Sequence, residues 1–410
     1  MRQSTFFKLN KWNILVENEK KNKAAIYNLY TGDIIELDSK WQQSLHQLQM
    51  GDSLLSKKSS RLLEQIRRTL IEKKMGNNYS QSIYEEKERL GFLLPMSGYQ
   101  SPPPRINKFF IQLPTGCDLN CYFCKSLKSM PCFSCTTEKS IKNVKYIDYC
   151  RILPYILELN PINIIFYGGN PFLFKDELDK LLNLCMRSSK RNSVWIVTHW
   201  RHLYSQIKRN EKKLGKNIMF YITIPLHDFI NSKANIEELS FVLDNIKNYT
   251  KGFIPVLVEE VGYNDDEIIS KVKRFNPKGI YFCYIFSKNN SQRFDNANLM
   301  RVNRETFWQN FYYHPCLHGT LALNYEGKIL PCPYMKEEIL CNMIKDIESF
   351  NIMFSDRKVD KYWNLNLGKI DNCEDCVFRF GCFECRAMEL KLTNNLNGKL
   401  LCSRNKDKSH

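Results

Sequence analysis

The chain has 410 residues, 43% apolar and 25% charged, with a formal charge of +17 at pH 7. That length suffices for two or three domains with a sizeable core, and the composition is that of a globular protein, not a disordered or fibrous one. No run is long and apolar enough to cross a membrane. The start, Met1-Arg2-Gln3-Ser4-Thr5-Phe6-Phe7, meets Lys8, Asn10 and Lys11 too soon to build a signal-peptide core, so a cytoplasmic protein is expected.

Residues 1–95 are lysine-rich and free of cysteine. Ile14–Val16, Ala24–Tyr27 and Ile34–Leu37 read as short strands, with a turn at Tyr30-Thr31-Gly32-Asp33, and helical stretches follow at Lys40–Leu48, Ser59–Lys74 and Gln81–Leu90. Ser101-Pro102-Pro103-Pro104 marks a stiff linker, placed at 96–105.

Residues 106–300 alternate strand-like and helix-like runs. Strands are expected at Phe109–Leu113, Ile162–Tyr167, Val194–Thr198, Ile218–Ile224, Phe253–Val258 and Ile280–Phe286. Helices are expected at Glu138–Leu159, Asp176–Ser188, Ile236–Tyr249 and Asp265–Phe275, the last capped by Asn264. Six βα units in about 190 residues suit a partial barrel better than a full one of about 250.

Sixteen cysteines are many for a reducing compartment, where clustered thiols point to metal and not to disulfides. Cys150, Cys185 and Cys283 stand alone among apolar neighbours and read as small buried hydrophobes. Cys117, Cys121 and Cys124 form C-x3-C-x2-C, with Phe123 before the last cysteine, directly after the first barrel strand and Pro114-Thr115-Gly116. Four thiolates would close a [4Fe–4S] cluster; three leave one iron open. Cys132 and Cys135 follow as a C-x2-C pair and read as loop thiols, with a redox pair or an extra site as alternatives. The second strand ends Tyr167-Gly168-Gly169-Asn170-Pro171, where two glycines permit close backbone approach or simply a tight turn.

The cysteine motif, its aromatic and its place after a first strand resemble the radical S-adenosylmethionine (SAM) family. The resemblance implies a (β/α)6 partial barrel. It also implies a [4Fe–4S] cluster on Cys117, Cys121 and Cys124 whose open iron holds SAM, cleaved by one electron to a 5′-deoxyadenosyl radical. Gly168 and Gly169 match a Gly-Gly-Glu-Pro type motif whose backbone meets the SAM amino group; Asn170 replaces the glutamate, so any charged contact there is lost. Phe123 would pack by the adenine or in the core, and Thr198 and Thr223 would face the ribose or carboxylate or be plain strand residues.

Residues 301–410 carry a second pattern: Cys316-x10-Gly327-x4-Cys332, then Cys373-x2-Cys376-x5-Cys382-x2-Cys385, then Cys402. A bare pair of C-x2-C units also suits a zinc ribbon. The whole order resembles the SPASM domain of radical SAM maturases, with Cys385 one residue closer to Cys382 than usual. The resemblance implies an outer auxiliary cluster on Cys373, Cys376, Cys382 and Cys402. An inner cluster would sit on Cys316, Cys332 and Cys385, with Cys341 or an open site as the fourth position. Three such clusters would lower the net charge to about +12.

The small N-terminal meander with helices resembles the winged-helix-like recognition element of enzymes that modify ribosomally made peptides, which binds a leader peptide as an added strand. The expected protein is therefore a radical SAM oxidoreductase that modifies, by crosslinking, a precursor peptide. It would use SAM and three [4Fe–4S] clusters, with a reductase or a flavodoxin- or ferredoxin-type electron donor as a second partner. The alternatives are a sulfatase-maturase-like formylglycine-generating enzyme and a catalytically silent peptide-binding escort. The basic residues are spread along the chain, with modest runs at Lys20–Lys23 and Lys208–Lys216. An acidic peptide suits them, and nucleic acid is not expected.

Overall fold

The computed structural model describes residues 6–402 apart from 51–56, 80–104, 129–132, 136–147, 189–191, 210–217, 231–234, 247–249, 261–265 and 287–298, and positions 19, 21, 126 and 276. The expected helix Gln81–Leu90, the proline linker, Cys132 and Asn264 lie outside the described residues. The chain divides into two units. One is Met1–Pro95 with Asn296–Pro315 and Asn364–Phe383; the other is Met96–Asp295 with Cys316–Trp363 and Glu384–His410. The stretch 301–410, read from sequence as one cysteine-rich domain, is thus shared between the two units.

In the first unit, β1 (Phe6–Leu9) pairs antiparallel with β5 (Gly76–Tyr79). Strands β2 (Asn13–Asn18), β3 (Lys23–Asn28) and β4 (Ile34–Leu37) form the expected antiparallel meander. Gly32 takes φ +81° in the β3–β4 turn, and Asn28 Oδ1 accepts from the amides of Tyr30 and Thr31 at 3.0 Å each. Helices α1 (Ser39–Met50) and α2 (Lys57–Glu72) cover one face of the meander, where Ala24, Ile26 and Leu37 pack with Leu45, Ile66 and Leu70. Ala25 and Tyr27 point the other way, onto Val302, Phe307, Val377 and Phe380. Both faces of β3 are covered, which is why its sequence shows no polar alternation. Tyr27 donates to the Val377 carbonyl at 2.6 Å and Asn18 to that of Asp375 at 2.6 Å. Burial, and then the neighbouring Cys376, push the Tyr27 hydroxyl far above its ordinary range.

The second unit is built on a ten-stranded sheet. Its six central strands are the six read from sequence: β6 (Lys108–Gln112), β8 (Asn163–Tyr167), β9 (Ser193–His199), β10 (Ile218–Pro225), β11 (Gly252–Glu260) and β12 (Tyr281–Phe286). They lie in that order and are parallel throughout. Helices α3 (Tyr149–Glu158), α4 (Lys175–Arg187), α5 (Trp200–Lys208), α6 (Ile236–Ile246) and α7 (Asp266–Arg274) supply the crossovers. Helix α5 was not expected, nor were additions at the two edges of the sheet. The short strand β7 (Leu127–Lys128) pairs antiparallel with the β12 edge, and β13 (Thr320–Leu323) pairs parallel with β6, followed by β14 (Lys328–Leu330) and β15 (Cys341–Asn342).

Strand alternation sorts the side chains into two cores. Phe109, Ile164, Ile196, Phe220 and Leu257 face the helices. Phe110, Ile165, Trp195, Val197, Tyr221, Val256 and Cys283 face the opposite side. On that side the ring of Phe133 lies 5.9 Å from Phe110 on β6, 4.3 Å from Tyr221 on β10 and 5.7 Å from Tyr281 on β12. A flat sheet would separate β6 and β12 by about 24 Å at the usual strand spacing. One ring in reach of both requires the sheet to curl around it, which gives the expected partial barrel an aromatic centre: Trp195 also stacks on Tyr221 at 4.3 Å.

Candidate active site

The C-terminal ends of β6, β8, β9 and β10 converge on the cysteine motif. After Gln112 the chain runs through Leu113, whose amide donates to the Tyr167 carbonyl at 2.7 Å, so the stem of the cysteine loop stays tied to β8. Asn120 takes φ +45°, a left-handed turn that asparagine tolerates. That turn folds the chain back between Cys117 and Cys121, and a single 3-10 turn, Tyr122–Lys125, then carries Cys124. All three cysteines are partly exposed, whereas Phe123 is fully buried in the barrel core, edge-on to Tyr122 at 5.7 Å.

The glycines serve the same loop. Gly168 takes φ +127°, and a Cβ there would stand 2.6 Å from the Leu113 carbonyl oxygen; a Cβ on Gly169 would collide with that of Gly116. Asn170 donates its amide to Gly116 at 2.8 Å, and its Oδ1 accepts from the Phe172 amide at 3.1 Å, capping the turn Pro171–Phe174. Asn170 thus has a structural task, one that its sequence did not reveal.

Thr223 faces the barrel interior, where its hydroxyl accepts from the Cys135 amide at 2.7 Å. Cys135 is buried beside the signature loop, and Ser134 lies 3.9 Å from the Cys283 sulfur. Thr198 is in register with Ile222, on the helix-facing side, and its hydroxyl has no hydrogen-bond partner among the described residues; the strand does not present it with Thr223. Its neighbour His199 is in register with Thr223. His199 Nδ1 accepts from the Arg201 amide at 3.2 Å, which assigns the proton to a buried Nε2 that has no partner among the described residues. Burial, with His202 and Arg201 nearby, holds this imidazole well below its usual range.

One turn into α5, His202 Nε2 lies 3.3 Å from Cys117 Sγ. Cys117, Asp118 and His202 offer ligand atoms within 4.8 Å of one another. Burial lowers the His202 pKa to about 4, against an opposing pull from Asp118, so it is neutral at pH 7. Neither histidine was singled out in sequence. The available signal was His199-x2-His202 at the junction of a barrel strand and its helix.

The donor set fits an iron–sulfur cluster. The Cys121 thiol is pushed far up by its hydrogen bond to Cys124, then by burial, then by the charges of Cys135, Cys124 and Cys117; burial, with Cys124 and Asp118, raises Cys117. Sulfurs that raise one another's pKa in this way are the arrangement that a cationic core relieves.

The later cysteines fall into both units. Cys316, Cys332, Cys341 and Cys385 belong to the barrel unit, with Cys402; Cys373, Cys376 and Cys382 belong to the other. The hairpin β13–β14, turning at Gly327 (φ +77°), spaces Cys316 from Cys332, and Cys341 opposes Ile329. Burial raises Cys316 and carries Cys341 up to about 11. Cys385 opens helix α8 (Arg386–Thr393), inside a buried ion network of Glu384, Arg386, Glu389 and Lys399; Lys399 lies 2.8 Å from Glu384 and 2.7 Å from Glu389. In the other unit, successive turns bond Cys376 to Cys373 (3.0 Å) and Gly381 to Phe378 (2.9 Å), and Cys382 bridges to Leu299.

No family model matches the chain, and no curated protein matches it. Among solved structures it is similar to Streptococcus suis SuiB bound to S-adenosylmethionine, with a TM-score of 0.41 and 12% identity over 94% of this chain and 97% of that one. SuiB bound to its precursor peptide SuiA gives a TM-score of 0.40 and 14% identity over 98% of each chain. Native anSMEcpe with bound AdoMet and Kp18Cys peptide gives 0.44 and 14% over 68% of this chain and 90% of that one. Among the described residues no helix is long and apolar enough to cross a membrane.

Proposed function

We propose that the chain is a radical SAM enzyme that oxidatively modifies a ribosomally made precursor peptide, by crosslinking. The observation that carries the reading is the convergence at one end of the sheet: Cys117, Cys121 and Cys124 on the loop after β6, with the Gly168-Gly169 turn after β8 packed against the stem of that loop. Active sites of βα barrels are built at this end of the strands.

Cys117, Cys121 and Cys124 would hold a [4Fe–4S] cluster, which with SAM supplies a carbon radical able to take hydrogen from a peptide carbon. The backbone at Gly168-Gly169 would meet the SAM amino group, and the buried Nε2–H of His199 stands ready to donate to a bound molecule. Phe133, Trp195 and Tyr221 stack together inside the barrel, in the same core that Cys121 and Cys124 pack against. Cys316, Cys332, Cys341 and Cys385 would hold an inner auxiliary cluster, and Cys373, Cys376 and Cys382 would be ligands of an outer one, to remove the second electron that a net oxidation requires. The β2–β3–β4 meander would bind the leader along a sheet edge, and the basic surface suits an acidic peptide. The electron donor would be a flavodoxin- or ferredoxin-type protein. The silent-escort alternative rested on Asn170, whose cap to Phe172 gives that departure a structural cause.

The test is co-expression with short peptides encoded beside the gene, followed by mass spectrometry. A peptide lighter by two hydrogens per crosslink, in wild type and not in C121A, is expected. Peptides unchanged in mass by an iron-loaded enzyme would contradict the reading; formylglycine on a sulfatase would replace it.

A further inference from the structure

We infer that His202 is a positioning residue for the first cluster: its Nε2–H donates to the Cys117 sulfur and sets how readily that cluster accepts an electron. The inference rests on the reading that Cys117, Cys121 and Cys124 hold iron.

Three observations lead to it. His202 Nε2 is 3.3 Å from Cys117 Sγ, within reach of an N–H to sulfur bond. The ring is 5% exposed, fixed in the first turn of α5 and edge-on to His199 at 5.9 Å, so it does not rotate freely into solvent. A thiolate on iron has no proton to give, so across 3.3 Å the ring nitrogen is the donor. The Asp118 carboxylate, also within 4.8 Å, belongs to an exposed residue, and Cys117 is the less exposed of the two acceptors.

A hydrogen bond to a ligand sulfur withdraws charge from the iron core and favours its reduced form; such bonds are among the features that set cluster potentials. A cluster that must pass one electron to SAM needs a low potential, yet one its donor can still reach. A single buried donor on one of three ligands raises the potential without closing the open iron.

The experiment is an anaerobic redox titration followed by electron paramagnetic resonance of the cluster signal that changes when SAM is added, in reconstituted full-length protein. H202F removes the donor and keeps a ring; H202Q returns an N–H near the Nε2 position. With equal iron content, H202F is expected to shift the midpoint of the SAM-responsive signal to more negative potential, and H202Q to stay near wild type. Coincident midpoints in H202F and wild type, or equal shifts in H202F and H202Q, would overturn the inference while leaving the cluster in place. A wild-type protein without iron, or without a SAM-responsive signal, would overturn the iron–sulfur reading and this inference with it.

Discussion

The backbone amide of Cys135 donates to the Thr223 hydroxyl across 2.7 Å, joining the segment after the cysteine signature to the fourth strand of the barrel. The bond lies in the interior, so its loss leaves a buried donor unmet. T223V, similar in shape but without the hydroxyl, should lower stability by about 1–3 kcal/mol, and T223S should restore most of it. Urea unfolding of the three proteins checks this; equal midpoints for T223V and wild type would remove the bond from the account.

Gly169 packs against the carbonyls of Thr115 and Gly116, where a methyl group collides with backbone that cannot move aside. G169A should therefore displace the cysteine loop and cost the protein its first cluster, about four irons per chain, while iron elsewhere is retained. Gly116 has open space at its own Cβ position, so G116A should keep all its iron. Iron analysis after identical reconstitution decides between them.

Asn170 acts as an N-cap through its Oδ1 bond to the Phe172 amide. N170A should lower stability by about 0.5–2 kcal/mol, and N170D, which caps equally well, should not. Thermal unfolding of the two variants checks this; a loss in N170D equal to that in N170A would assign Asn170 another task.

Glu389 is buried, paired with Lys399 at 2.7 Å, and accepts the amides of Leu400 and Leu401 at 2.7 and 3.1 Å. This network closes the chain from Cys385 round to Cys402. E389A removes one of the carboxylates paired with Lys399 and leaves two amides unmet, and should cost about 3–5 kcal/mol. Denaturant titration measures it, with lower iron retention at Cys385 as the accompanying sign.

All six barrel strands were legible because each is a short apolar run, four of them followed by a helix-period stretch, and the boundaries moved by one or two residues. The cysteine motif was legible because its ligands are adjacent in sequence. What sequence did not reveal depends on distant packing. Nothing local marks His202 as a neighbour of Cys117, 85 residues away. Nothing in Phe133 announces that it centres the barrel, and Cys135, read as a loop thiol, is buried beside the signature. The Gly-Gly pair was read as close backbone approach to a ligand or as a tight turn; its closest neighbours are the carbonyls of the cysteine loop's own stem. The meander's second face was equally hidden, since Val377 and Phe380, which cover it, lie some 350 residues further on.

The measurement that tests the central claim most directly is made on protein purified and reconstituted without oxygen. Iron and sulfide are counted per chain, dithionite and SAM are added, and 5′-deoxyadenosine is sought, with C117A as the control. The account predicts about twelve irons with matching sulfide, release of 5′-deoxyadenosine by wild type, and none by C117A. Zinc in place of iron, or a full complement of clusters that leaves SAM intact even with the precursor peptide present, would contradict it.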